Sequence, residues 1–277
     1  MAVAYKSSNI FPITSTNNVF ITKPTDLAVG DLLIAHIFNA KAQTITPPSG
    51  FTALLTTTTT GSINQHAMYL FWKVADAGDV AATTFSFTTA SSQTAGGGLM
   101  AFTGATSFAP IPEFAGSTAN NTGSPSFANT ITPHIADSMI LILGGLITAG
   151  STSGVSTYAI ATSNPSWTEI YDDSPDTARR FYAAYGSRPQ TTATGNSSVV
   201  GAGTYTTSDW VGQMLAIMPL QLQTITDTVT CTDSQNYLIA NIFTDTLNIT
   251  DLVTTLKQRV WKTLQKNVST WLNQDKS

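Results

Sequence analysis

The chain has 277 residues, of which 42% are hydrophobic and only 10% charged, with 12 Lys and Arg against 16 Asp and Glu. That length allows a sizeable core, as one large domain or two small ones. The mildly acidic balance leaves no basic stripe to displace phosphate counterions, which argues against a nucleic-acid partner.

Thr and Ser together fill roughly a quarter of the chain. Their profile suits strands with one hydrated face, because the branched Cβ of Thr favours extended backbone while its hydroxyl meets water. Cys231 is the only cysteine, so neither an internal disulfide nor a Cys-based zinc site is expected. Residues Met1 to Asn9 lack a basic stretch leading into an apolar run, so no signal peptide is expected. The longest apolar run, Met139 to Ile147, contains Gly144 and Gly145. It falls well short of the roughly 20 residues of a spanning helix and reads as a buried strand. A membrane partner is therefore not expected.

In chain order, one series of elements occurs twice. The first copy opens on an apolar strand after an Asp, Leu32 to Ile37, and the second on Ser138 to Leu143. A Pro-marked aromatic segment follows in each, Pro48-Ser49-Gly50-Phe51-Thr52 and Pro165-Ser166-Trp167-Thr168. Next come aromatic-rich strands, Met68 to Ala75 and Arg180 to Gly186, then Thr- and Ser-rich strands near Thr84 to Thr88 and Ser198 to Thr207. Each copy closes on a Gly-led apolar strand, Gly97 to Phe102 and Gly212 to Ile217. Alternation at Leu32, Ile34, His36, Phe38 and at Met68, Leu70, Trp72, Val74 has the period of strands. The turn residues of Asp76-Ala77-Gly78-Asp79 punctuate the pattern. About ten strands in two similar halves are best accommodated by packing their greasy faces together. Two separate small barrels are the alternative.

The fold class expected is all-β: an internally duplicated antiparallel β-sandwich, jelly-roll-like, with a C-terminal amphipathic α-helix. Residues 1–220 form the sandwich, with halves at about 1–109 and 134–220. Residues 110–133, carrying Pro110, Pro112, Pro125 and Pro133, read as the connector. Residues 221–251 read as a Thr/Asp-rich linker with short strands, containing the related runs Thr226 to Thr230 and Thr244 to Asn248. Residues 252–273 read as a helix capped by Thr250 or Asp251. Along it Val253, Leu256, Val260, Leu264, Val268 and Trp271 make one apolar stripe bordered by Lys257, Arg259, Lys262 and Lys266. Residues 1–251 carry 7 basic and 15 acidic side chains, whereas 252–277 carry 5 and 1. The stripe, with Trp261, is the expected assembly interface, on another copy or another protein; an anionic membrane is the weaker reading.

No reactive cluster stands out. His36, His66 and His134 are scattered without ligand spacing, and no Gly-x-Ser-x-Gly is present. Asp172, Asp173 and Asp176 read as a solvated loop before a calcium site. The two glutamates, Glu113 and Glu169, do not select a carboxylate pair. Gly96-Gly97-Gly98 lacks a following Lys and leads into a strand, so close backbone packing is the reading. Phe51, Trp167, Tyr182 and Tyr185 read as core, with a sugar-binding platform as the alternative. No enzyme activity, cofactor or metal is expected.

The run Val29 to Ala35, then Pro47-Pro48-Ser49-Gly50-Phe51-Thr52, Tyr69 to Ala75 and Gly98 to Gly104, resembles a β-sandwich module of tailed-bacteriophage virion proteins. The resemblance spans about residues 25–220, and Phe51 stands where the module usually has Trp. It implies a non-enzymatic protein on the virion exterior, tail-associated or capsid-decorating, made in the host cytoplasm. Its partners would be itself, with a trimer favoured, and other virion proteins. The alternative expectation is a carbohydrate-binding module for a host cell-surface glycan.

Overall fold

In the computed structural model the described residues are 2–59, 65–107, 109–122, 126–127, 131–148, 158–160, 167–173, 179–188, 191, 197–201 and 208–220. The chain divides into two compact units, Met1–Gln221 and Leu222–Ser277, and every described residue lies in the first. The linker and helix expected over 221–273, with the stripe Val253, Leu256, Val260, Trp261, Leu264, Val268 and Trp271, lie outside the described residues.

The first unit is built from antiparallel sheets. In the first half the strands are β1 (Ala4–Thr22), β2 (Leu32–Asn39), β3 (Ile45–Thr46), β4 (Thr52–Thr58), β5 (Ala67–Val74) and β6 (Thr84–Thr103). They form one sheet in the order β1-β6-β2-β5-β4, with β3 also on β6. The second half supplies β7 (Glu113–Thr122), β8 (Ser126–Phe127), β9 (Ser138–Thr148), β10 (Tyr158–Ile160), β11 (Thr168–Asp173), β12 (Arg179–Arg188), β13 (Ser197–Gly201) and β14 (Ser208–Ile217). Its main sheet runs β7-β14-β9-β12-β11, and β10-β13-β8 form a separate small sheet.

Both five-strand paths therefore take their strands in the same chain order: first, last, second, fourth, third. The correspondence extends to local irregularities. The register of β4 on β5 shifts between Ala53 and Leu55, and that of β11 on β12 between Glu169 and Tyr171. Each central strand is entered through a left-handed residue, Gly30 (φ 93) before β2 and Asp137 (φ 61) before β9. Asp31 holds the first entry by accepting from the Ala28 amide at 2.8 Å, and the Ser138 hydroxyl holds the second by donating to the Ile135 carbonyl at 2.6 Å.

The connector assigned to 110–133 is corrected by the structure. Glu113–Thr122 is β7, paired along β14. Its Ala-Gly-Ser-Thr-Ala-Asn-Asn-Thr run has little apolar periodicity, so only the neighbouring strand stabilises it as extended chain. β1 was hidden for the same reason. Asp76-Ala77-Gly78-Asp79 lies at the short helix α1 (Ala77–Ala81), started by a capping box in which the Asp76 and Asp79 side chains each accept from the other's backbone N–H. Lys73 Nζ neutralises both carboxylates, at 3.1 Å from Asp76 and 2.7 Å from Asp79.

The two main sheets pack face to face. Leu32, Ile34, Phe38, Met68, Leu70, Met100 and Phe102 from one sheet share a buried cluster with Met139, Leu141, Leu143, Phe181, Ala183, Val211 and Leu215 from the other. The intervening residues also find cover, which is why all eight residues of β2 are buried. Leu33, Ala35, Ile37, Tyr69 and Phe71 on the outer face pack with Val19, Ile21, Phe85 and Phe87 from the distal halves of β1 and β6. Those long strands carry register shifts near Phe11/Thr14 and Thr16/Asn18, where bulges bend a strand, so one strand pair serves two layers. A second outer cluster, Ile140, Ile142, Leu146, Tyr182, Trp210 and Met214, lies on the far face of the other sheet.

Glycines set the sheet spacing at two points. A Cβ on Gly98 would stand 2.5 Å from the Tyr171 ring, and one on Gly145 would stand 2.9 Å from Phe38. By strand register Gly98 lies beside His36, while its counterpart Gln213 lies beside Leu143. Tyr171 thus lies over a Gly, whereas Gln213, at the matching position of the other sheet, bonds Thr57 and the Met68 carbonyl. We expect Gly98→Ala to destabilise the protein by about 1–3 kcal/mol through overpacking. Urea unfolding of Gly98→Ala, Tyr171→Leu and the double variant should give costs that combine less than additively. Full additivity would mean the two positions do not compete for space.

Candidate functional site

The most distinctive polar feature of the described structure lies between the sheets. His36 on β2 is wholly buried, and its Nδ1 lies 3.0 Å from the Tyr171 hydroxyl of β11. The imidazole lies nearly parallel to the Tyr171 ring at 6.4 Å and meets Phe181 edge-on at 6.2 Å. His36 Nε2 has no hydrogen-bond partner. Burial holds the imidazole neutral, with its pKa down at about 3, and pushes the Tyr171 phenol well above its ordinary value. A neutral ring bonded to a neutral phenol joins the two sheets without placing a charge in the core.

Gln213 makes a second bridge. Its side-chain NH2 donates to Thr57 Oγ1 at 3.0 Å and to the Met68 carbonyl at 3.1 Å. Both bridges cross from one main sheet to the other and span more than 130 positions of sequence. No periodicity or motif pointed to Tyr171 or Gln213, because each acquires its role only when distant strands meet.

The three histidines do not converge. His66 is buried, with Nδ1 at 3.2 Å from Thr59 Oγ1 and its ring 5.5 Å from Phe38. His134 is 60% exposed by side chain and lies 2.9 Å from Glu113, whose other oxygen accepts from the Thr132 amide at 2.7 Å. Among the described residues, no group of three or more His, Cys, Asp or Glu is placed to hold a metal ion.

The two glutamates are also far apart. Glu113 is on β7 and Glu169 on β11, the opposite edges of a five-strand sheet. Four strand spacings separate them by about 19 Å, beyond the roughly 5–9.5 Å of a glycosidase pair. Asp172 and Asp173 belong to β11, not to the expected loop, while Asp176 lies outside the described residues. Burial raises the Asp172 carboxyl to about 6, with the positive charge of Arg180 pulling the other way.

Gly96, Gly97 and Gly98 are places of close approach, where a Cβ would meet Ile13 at 2.9 Å, the His36 carbonyl at 2.7 Å and Tyr171 at 2.5 Å. Phe51 meets Phe85 and Phe87 edge-on at 5.8 and 5.5 Å, and Tyr185 stacks on Tyr5 at 5.2 Å. Tyr182 is buried across Gly144, and Trp167 is half-buried against the same cluster. These four aromatics therefore belong to packing.

Compared with known proteins, the chain matches no family model, and neither a curated protein nor a solved structure is significantly similar to it.

The His36 environment has a consequence for pH dependence. Its folded pKa, about 3, lies below the ordinary value of 6.5. The unfolded chain therefore takes up a proton first, and stability falls as pH drops from 6.5 towards 3. The limiting slope for one such group is about 1.4 kcal/mol per pH unit. Asp172, with its folded value raised from 3.8 to about 6, opposes this over most of the same window, between those two values. Unfolding free energies from pH 7 to 4 should decline less steeply in His36→Leu than in the wild type. Parallel profiles would contradict the neutral, buried state of His36.

Proposed function

We propose that the chain is a non-enzymatic structural protein of a bacteriophage virion, tail-associated or capsid-decorating, with the sandwich on the particle exterior. The observation that carries the reading is the use of the inner polar groups. His36, Tyr171 and Gln213 bond one sheet to the other, so the best-placed chemistry serves cohesion. A body held in this way, under a Thr- and Ser-rich surface of low charge, is suited to standing in solvent as a rigid module.

The shared strand order, the matched register shifts and the matched strand entries support an internal duplication of a jelly-roll-like unit. In this reading the second copy provides the surface that the first would otherwise leave wet. The resemblance to virion modules over about residues 25–220 supports that setting. Assembly falls to the C-terminal stripe of Val253, Leu256, Val260, Trp261, Leu264, Val268 and Trp271, because a single amphipathic helix needs an apolar surface to cover it. The partners are further copies of the chain, with a trimer favoured, and other virion proteins.

Truncation after Thr250 tests this reading. The shortened chain should remain folded and soluble while losing self-association, seen as a fall to monomer mass by light scattering, and should no longer join particles. Unchanged mass and unchanged incorporation would defeat the proposal.

A further inference from the structure

The bent ends of β1 and β6, with β3, form an outer ribbon whose two faces differ completely. Val19, Ile21, Ile45, Phe85 and Phe87 point inward and are buried. By strand alternation the residues between them point outward. Cross-strand pairing sets Thr22 opposite Thr84, Phe20 opposite Ser86, and Asn18 opposite Thr88, with Thr46 next to Thr88 on the other side. Phe20 is 50% exposed in the middle of this face, framed along its own strand by Asn18 and Thr22.

The frame consists of hydroxyl and amide groups and contains no charged side chain. Among the described residues, the hydroxyls of Thr22, Thr46, Thr84, Ser86 and Thr88 have no hydrogen-bond partner. The polar groups just beyond behave differently: Gln43, Ser91 and Gln93 bond one another at 3.1–3.3 Å. Lys23, which follows Thr22, is tied to the Val80 carbonyl. An exposed aromatic ring thus stands among hydroxyls that have no partner among the described residues, in a frame without a charged side chain.

We propose that this face is a binding site for a neutral saccharide, with a sugar ring stacked on Phe20 and its hydroxyls bonded to the surrounding Thr, Ser and Asn groups. The chemistry is complementary. The C–H face of a pyranose suits an aromatic ring, and its hydroxyls both donate and accept, as do Thr and Ser. An anionic ligand would need cations that the face lacks. A single ring is also too small an apolar patch for a stable protein interface. The proposal does not depend on assembly through the C-terminal stripe.

Affinity electrophoresis of the full chain through gels containing dextran, mannan, laminarin or galactomannan tests the site, with the polyanion alginate as comparator. At least one neutral polymer should retard the wild type. Phe20→Ala should weaken that retardation about tenfold or more, the paired Thr22→Val and Thr84→Val changes should weaken it several-fold, and Phe20→Trp should retain it. The urea midpoint of Phe20→Ala should match the wild type, since the ring faces outward. Three results would overturn the proposal: no retardation by any neutral polymer, retardation by alginate alone, or retardation unchanged in Phe20→Ala. Loss of assembly on truncation at Thr250 has no bearing on these outcomes.

Discussion

Mutual burial of the two main sheets is the constraint on which the rest of this structure depends. Each sheet is apolar on both faces, so neither can stand with one side in water. A fully buried Leu, Ile or Phe contributes about 1.5–3 kcal/mol relative to exposure. The shared cluster contains many such side chains from both halves. That gain is large enough to carry a few polar groups into the same layer, provided that they are bonded. The His36–Tyr171 contact meets the condition with one ring nitrogen, and Gln213 meets it through its NH2. His36 Nε2 and Gln213 Oε1 remain unbonded, so these two bridges are not cost-free contributors to stability. Their value lies in fixing how one sheet seats on the other. An apolar interface alone tolerates sliding, whereas a directional bond does not.

The two halves solve one geometric problem with different residues. Gly98 and Gln213 occupy matching register positions, as do Leu55 and Tyr171. The two halves therefore place different chemistry at matching positions of the interface, a Tyr over a Gly in one and a hydrogen-bonded Gln in the other. The outer faces differ as well. Ile37 fills the outer core at a position where the second half has Gly144, and there the Tyr182 ring lies across the glycine. One half thus keeps an apolar outer core while the other carries Arg180 and Asp172.

Two ion-pair groups brace turns at strand ends in the first half, Lys6 with Asp31 and Lys73 with Asp76 and Asp79. Partly exposed pairs of this kind contribute modestly and weaken with salt. Cohesion resting on burial and neutral hydrogen bonds is largely insensitive to ionic strength, and a hydroxyl-rich exterior needs no counterions.

The all-β character, the low charge and the positions of the central strands could be read from the residues alone. β2, β5, β9, β12 and β14 were legible because burial on both faces demands apolar residues that stand out from Thr and Ser. β1 and β7 were not, since Asn, Ser, Thr and Gly adopt extended chain there only when a neighbouring strand takes up their backbone groups. The glycines of 96–98 announced a close approach without naming what approached. Only the tertiary structure decided that Tyr171 lies over Gly98, that His36 is a buried neutral bridge, and that Phe51, Tyr182 and Tyr185 are core while Phe20 faces water. Strand periodicity reports local alternation, which is encoded in adjacent residues. Which face meets which depends on pairing between segments more than a hundred residues apart, and no local pattern carries that information.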